Sequence, residues 1–113
     1  MEIGIDIIEV ERIAEAIKNE KFVLKVYTQG EREWLEGKPP QSWAGIFAAK
    51  EALAKAGGGV ISDYEIGHEA TGKPVVRRQG TGDGGQDFKV SISHCEKYAT
   101  AVAIRTGYKN LTK

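Results

Sequence analysis

Glu51 and Lys55 stand one helical turn apart in the run Phe47-Ala-Ala-Lys-Glu-Ala-Leu-Ala-Lys-Ala-Gly57. That spacing stacks an acid and an amine on one helix face. Phe47, Ala48, Ala49, Ala52, Leu53, Ala54 and Ala56 make the rest of the helix apolar nearly all round. Such a helix is normally buried. The ions on it, Lys50 included, must therefore be paired, metal-bound or aimed into a cleft. Asp6 poses the same question on a strand expected to be buried, with Ile5, Ile7 and Ile8 beside it. Two carboxylates from distant parts of a chain suit Mg²⁺, which takes one or two protein carboxylates and fills its octahedron with water and substrate phosphates. Lys55, one turn beyond Glu51, would then stand beside a metal-bound phosphate and neutralise charge developing on a leaving group.

Each of these residues also has a plainer reading. Asp6 can hydrogen-bond the N-terminus of the helix that follows it. Lys50 and Lys55 can snorkel from a partly exposed face. Ser93-His94 ends a strand, where side chains can project into a cleft, although a lone histidine is often structural. His94 and Cys95 are adjacent, but neighbours along a strand point to opposite faces, which discounts a cysteine nucleophile. Thr71-Gly-Lys-Pro74 reads as a hairpin turn. Gly57-Gly-Gly59 reads as a helix stop, with no Walker pattern beside it.

The elements that must position these groups follow from periodicity. Residues 2–8 alternate as a strand, with Ile3, Ile5 and Ile7 on one face and Gly4, Asp6 and Ile8 on the other. Residues 9–25 have a helical pattern, which would put Lys18, Lys21 and Lys25 on one side with Glu11, Glu15 and Glu20 interspersed. Thr28 with Glu31 forms a capping box for a short helix carrying Trp34 and Leu35, ended by Gly37-Lys-Pro-Pro40. Ser42 is the expected cap of a helix over 43–56. Strands are expected over 64–70, 75–79, 88–94 and 98–105, the last apolar on both faces and therefore central. A Gly/Asp loop over 80–87 and a polar tail after Gly107 complete the chain. Strand, helices, then further strands argue for an α+β fold with helices on one side of an antiparallel sheet.

Length and composition set the outer limits. A chain of 113 residues with 28% charged and 41% hydrophobic side chains reads as a single domain over 1–113, too apolar for disorder. Sixteen basic and sixteen acidic residues cancel, so the overall field gives no case for nucleic acid or a membrane surface. The single cysteine excludes an intramolecular disulfide and a cysteine metal cluster. With no spanning run and no export signal, a cytoplasmic protein is expected.

Taken together, the blocks resemble the holo-[acyl-carrier-protein] synthase family of 4′-phosphopantetheinyl transferases. They are Gly4-Ile-Asp-Ile-Ile8 with Arg12, Phe47-Ala-Ala-Lys-Glu-Ala-Leu-Ala-Lys55, Gly72-Lys-Pro74, and Val90-Ser-Ile-Ser-His94 followed by Tyr98-Ala99. The resemblance runs from one end of the chain to the other and implies the 4′-phosphopantetheinyl transferase fold. It implies Asp6 and Glu51 as ligands of Mg²⁺ and the coenzyme A pyrophosphate, with Lys55 assisting departure of 3′,5′-ADP. It places Lys50, Gly72, Lys73, Pro74, Ser93 and His94 at the cofactor. The implied reaction is attack by a serine of acyl carrier protein on the β-phosphate of coenzyme A, in the service of fatty acid biosynthesis. The proton acceptor is Glu51 or a water on the metal. The resemblance also implies a homotrimer with interfacial sites, and a carrier-binding face on the first helix through Arg12, Lys18 and Lys21. Two departures stand out: Ile46 occupies a position where the family often has Arg, and Gly57-Gly-Gly-Val60 replaces the more usual Phe-Gly-Thr-Gly. The residues alone leave open a Mg²⁺-dependent hydrolase of a nucleotide or diphosphate, and a non-catalytic module in which Asp6, Glu51 and Lys55 form an ion network.

Overall fold

One long helix, Pro40–Gly57 (α4), organises everything else. Around it the order is β1 (Glu2–Glu9), α1 (Val10–Ala16), α2 (Glu20–Val26), α3 (Gln29–Leu35), α4, a 3-10 turn at Ile61–Asp63, β2 (Tyr64–His68), β3 (Pro74–Arg78), β4 (Phe88–His94) and β5 (Tyr98–Arg105). The structure, a computed structural model, describes residues 1–80 and 87–106. Most of the expected 80–87 loop and the tail from Gly107 lie outside the described residues.

The fold is α+β, with antiparallel strands throughout. They form a three-stranded sheet in the order β1-β5-β4 and a separate β2-β3 hairpin, rather than one continuous sheet. β5 is central, as its two apolar faces require. Across the sheet, Gly4 pairs with Ala103, Asp6 with Ala101 and Ile8 with Ala99, while Ala101 pairs on its other side with Ile92 and Ala99 with His94. These residues form the face on which α4 packs. The contact is made by small residues: Ala48, Ala49, Ala52 and Ala56 on α4 against Ala101 and Ala103 on β5, all buried. A Cβ on Gly4 would collide with the Ala52 carbonyl oxygen. Glycine there lets the α4 backbone lie directly on β1.

The opposite face corrects the expectation of a buried strand. Ile3, Ile5 and Ile7 are 62%, 63% and 66% exposed. Alternation separates the two faces of a strand but does not say which one meets the core. Here the small-residue face was selected, because only it admits a helix at such short range.

The helical layer differs from expectation at two points. The 9–25 helix is two helices: the chain turns at Ile17–Asn19, and the Asn19 side chain accepts from Lys21 N at 2.9 Å to cap α2. α4 begins at Pro40 rather than after Ser42. Ser42 N donates to Pro39 O at 2.9 Å, so Ser42 lies in the first turn, and Pro40 opens the helix with its φ already set. The Thr28–Glu31 capping box is present in both directions. α4 stops at Gly58, whose φ of 83° is open to glycine and costly for other residues.

Candidate active site

β1 and α4 bring three of the expected residues together. Asp6 lies on the α4 side of β1, mostly buried. Lys55, in the last turn of α4, donates from Nζ to the Ile5 carbonyl at 2.9 Å and to Asp6 Oδ1 at 3.3 Å. Glu51, one turn earlier, has its pKa raised above the ordinary carboxylate value. Burial is the larger cause and the Asp6 charge adds to it, while Lys55 opposes both. Burial and a like charge both disfavour the ionised form of a carboxylate. Thr100 Oγ1 donates to the Asp6 carbonyl at 2.8 Å and steadies β1 at this residue.

This donor set fits a hard divalent cation. Among the described residues no group of three or more His, Cys, Asp or Glu is arranged to hold a metal. A cation at Asp6 and Glu51 would therefore take two protein carboxylates and leave its remaining positions to water and phosphate, the coordination habit of Mg²⁺.

Lys50 is elsewhere, which corrects its expected place at the cofactor. Its Nζ is fully buried and donates to Glu31 Oε1 at 2.7 Å and to the Val26 carbonyl at 2.6 Å. Glu31 Oε1 also accepts from Thr28 N at 2.9 Å, and Oε2 accepts from Ile66 N at 2.7 Å. Lys50 follows Ala49 and precedes Glu51, so the helix turn points it to the α3–β2 side while Glu51 faces β1. Sequence reasoning saw that Lys50 needed a partner, but not that Glu31 supplies it from inside a capping box.

The second group of expected residues lines a cleft of about 430 Å³ on the other flank of α4. Gly72, Lys73 and Pro74 come from the β2–β3 turn and His94 from the end of β4. Gly72 has a φ of 92°, and its N–H donates to the Glu69 carbonyl at 2.8 Å to close that turn. Gly45 keeps the α4 wall low, since a Cβ there would press on Ile92 at 3.0 Å. Ile46 is buried in the same wall. Ser93 does not join His94. Strand alternation puts it on the outer sheet face, in a shallow depression with Ile5, Thr100 and Val102.

The cations expected to form a carrier-binding helix are also dispersed. Arg12 is on α1, Lys18 lies in the turn and pairs with Glu15 at 3.0 Å, and Lys21 opens α2. Arg12 shares its groove with Glu9, Glu11, Glu15 and Glu96, so the first helix is not a uniformly basic face.

Comparison with known proteins decides the family. The model of the 4′-phosphopantetheinyl transferase superfamily matches residues 2–103. The chain belongs to that superfamily. This transferase is 45% identical to the holo-[acyl-carrier-protein] synthase of Fusobacterium nucleatum, over 90% of its own length and 95% of the relative's. It is 42% identical to the synthase of Ruminiclostridium cellulolyticum, over 92% and 90%. Among solved structures it resembles the Helicobacter pylori holo-[acyl-carrier-protein] synthase in complex with coenzyme A. The TM-score is 0.81 at 29% identity, covering 92% of this transferase and 99% of that chain. A Bacillus anthracis synthase in complex with CoA (3′,5′-ADP) gives a TM-score of 0.74 at 32% identity, covering 90% and 92%.

Proposed function

We propose that this transferase moves the 4′-phosphopantetheine group of coenzyme A onto a serine of apo-acyl carrier protein and releases 3′,5′-ADP. The reaction is Mg²⁺-dependent and serves fatty acid biosynthesis in the cytoplasm. The observation that carries the reading is the convergence of Asp6, Glu51 and Lys55 from two elements. Asp6 and Glu51 would hold the cation, and Lys55 is tethered by a backbone carbonyl at the edge of the pair. When bound, Mg²⁺ would offset the charge of the pyrophosphate. Phosphoryl transfer asks the protein for positioning and charge stabilisation rather than covalent chemistry. Lys55 supplies a cation for the departing 3′,5′-ADP. The serine hydroxyl proton passes to Glu51 or to a water on the cation.

The nucleotide end of coenzyme A occupies the cleft lined by Gly72, Lys73, Pro74 and His94. That cleft belongs to β4, and Asp6 to β1. Two strand spacings of about 4.8 Å separate them, with α4 lying over the sheet between. One chain thus offers two half-sites on opposite flanks of a helix. The exposed Ile3, Ile5 and Ile7 face, continued by Val102 and Ile104 of β5, supports an assembly in which neighbouring copies join the halves. We assign that assembly as a homotrimer. Ser93, on the same outer face, then meets the nucleotide of the neighbouring copy's site. Arg12, Lys18 and Lys21 remain the carrier-facing cations, acting as separate contacts rather than as one stripe.

Incubation with coenzyme A, Mg²⁺ and apo-carrier, read by intact mass, tests the reading. Gain of one phosphopantetheinyl group on the carrier supports it. Release of 3′,5′-ADP without a carrier would instead favour a hydrolase.

A further inference from the structure

Lys55 stands in the last turn of α4, where the helix cannot hold itself. The final carbonyls of a helix have no partner within it. Three glycines follow Ala56, and Gly58 and Gly59 have φ of 83° and 77°. Glycine leaves the chain free, so the residues here give the turn no stiffness of their own. The hold comes from the base of the β2–β3 hairpin, where Tyr64 and Arg78 are cross-strand partners. Arg78 Nη2 donates to the Gly57 carbonyl at 3.0 Å, and Tyr64 Oη donates to the Gly58 carbonyl at 2.7 Å. The guanidinium lies 5.1 Å from the Tyr64 ring centroid and 5.6 Å from that of Phe88, so the arginine is itself held against two rings. A Cβ on Gly57 would collide with the Phe88 ring and the Tyr64 hydroxyl, and only glycine lets the end of α4 sit on this clamp.

We infer that Arg78 and Tyr64 are positioning residues for the reaction: by closing the end of α4 they hold Lys55 against Asp6. The inference rests on the transferase reading above, which gives Lys55 its role at the departing 3′,5′-ADP. Lys55 is exposed, and its Nζ reaches the Ile5 carbonyl at 2.9 Å and Asp6 Oδ1 at 3.3 Å. An amine on a flexible four-carbon stem stays in place only if its backbone does. Lys55 lies two residues before Gly57, so fraying of the last turn would carry it away from both contacts. Glu51 lies a full turn deeper, next to the buried Ala52 and Leu53, and is held by packing instead. The clamp therefore acts on Lys55 and spares the carboxylates. Its charge suits the place, because a cation is favoured at a helix C-terminus. The sequence shows the glycine stop but not the clamp, since Tyr64 and Arg78 reach Gly57 and Gly58 only when the hairpin docks.

The test is steady-state turnover by the full chain with coenzyme A, Mg²⁺ and apo-carrier. Arg78→Met keeps an apolar stem over the rings and removes the guanidinium. Its kcat should fall about tenfold, well within the cost of misplacing a catalytic group by an ångström. KM for coenzyme A and the Mg²⁺ dependence should stay within about twofold of wild type. Arg78→Lys should recover most of the loss. The deciding measurement is the double-mutant cycle with Lys55→Ala. In that background Arg78→Met should cost less than about twofold more, because the group it positions is already gone. Tyr64→Phe runs the same cycle with a gentler change if Arg78→Met does not fold, and should lower kcat about threefold to fivefold, the value of one hydrogen bond. A variant that kept wild-type kcat, or lost as much in the Lys55→Ala background as in wild type, would overturn the positioning role alone. Wild-type protein that formed no holo-carrier would overturn the transferase reading along with it.

Discussion

Lys50 Nζ lies 2.7 Å from Glu31 Oε1, and neither side chain reaches solvent. The pair joins α4 to α3. Through Val26 O, Thr28 N and Ile66 N it also reaches the end of α2 and the start of the hairpin. Every polar atom of the network has a partner, the condition under which a buried ion pair holds its surroundings in one arrangement. Removing one partner strands the other. Lys50→Met should lose about 3–5 kcal/mol in urea denaturation. A double-mutant cycle with Glu31→Gln should give a coupling above about 1 kcal/mol. Additive losses would show that the two side chains act independently.

Gly4 sets the distance between β1 and α4, and so between Asp6 and Glu51. A methyl at position 4 meets the Ala52 backbone, which cannot yield without moving the helix. Gly4→Ala should cost about 3 kcal/mol and lower turnover even at temperatures where the variant is folded. Thermal melts together with steady-state rates on folded protein check both. An unchanged melting temperature would mean that the helix shifts freely, and that the tight contact does not position the carboxylates.

Much of this arrangement was legible in the residues, and what was missed has a physical reason. The capping box, the central β5 strand and the convergence of Asp6, Glu51 and Lys55 all rest on local spacing or on chemistry that demands a partner. Lys50 shows the limit. Its burial followed from the apolar helix, but the identity of its partner depended on how α3 docks. The exposure of Ile3, Ile5 and Ile7 was not legible because a period of two separates faces without ranking them, and the glycine and alanine face won by allowing closer approach. The break at Ile17–Asn19 had a local signal in Asn19, a strong cap residue inside an otherwise helical pattern.

Glu51 makes the cation linkage testable by pH. Its folded pKa lies above the ordinary 4.5, so folding favours the protonated form relative to the unfolded chain. The stability this gives is present below 4.5 and is lost as pH rises through the raised value. A bound cation favours the ionised form and must drive the proton off. Mg²⁺ binding in the presence of coenzyme A should therefore weaken as pH falls through the window just above 4.5. Calorimetry in buffers of different ionisation enthalpy should record proton release there. Glu51→Gln should abolish that release; an equal release from Glu51→Gln would remove Glu51 from the cation site.

The exposed isoleucines predict assembly. Sedimentation of the wild type should give a trimer, and Ile5→Glu should dissociate it and lower turnover at least about tenfold, because the half-sites no longer meet. The circular dichroism spectrum should be retained, since Ile5 is 63% exposed within one chain. A wild-type protein that sediments as an active monomer would refute the interfacial site.

The central claim is that Asp6 and Glu51 together hold the cation through which coenzyme A is engaged. The most direct measurement is the rate of holo-carrier formation by Asp6→Asn, followed by intact mass at saturating coenzyme A and Mg²⁺. Asn preserves the shape at position 6 and removes the charge. The account predicts a fall of about 10²–10³-fold, the usual effect of deleting one electrostatic contact to a transition state. A rate within a few-fold of wild type would contradict it.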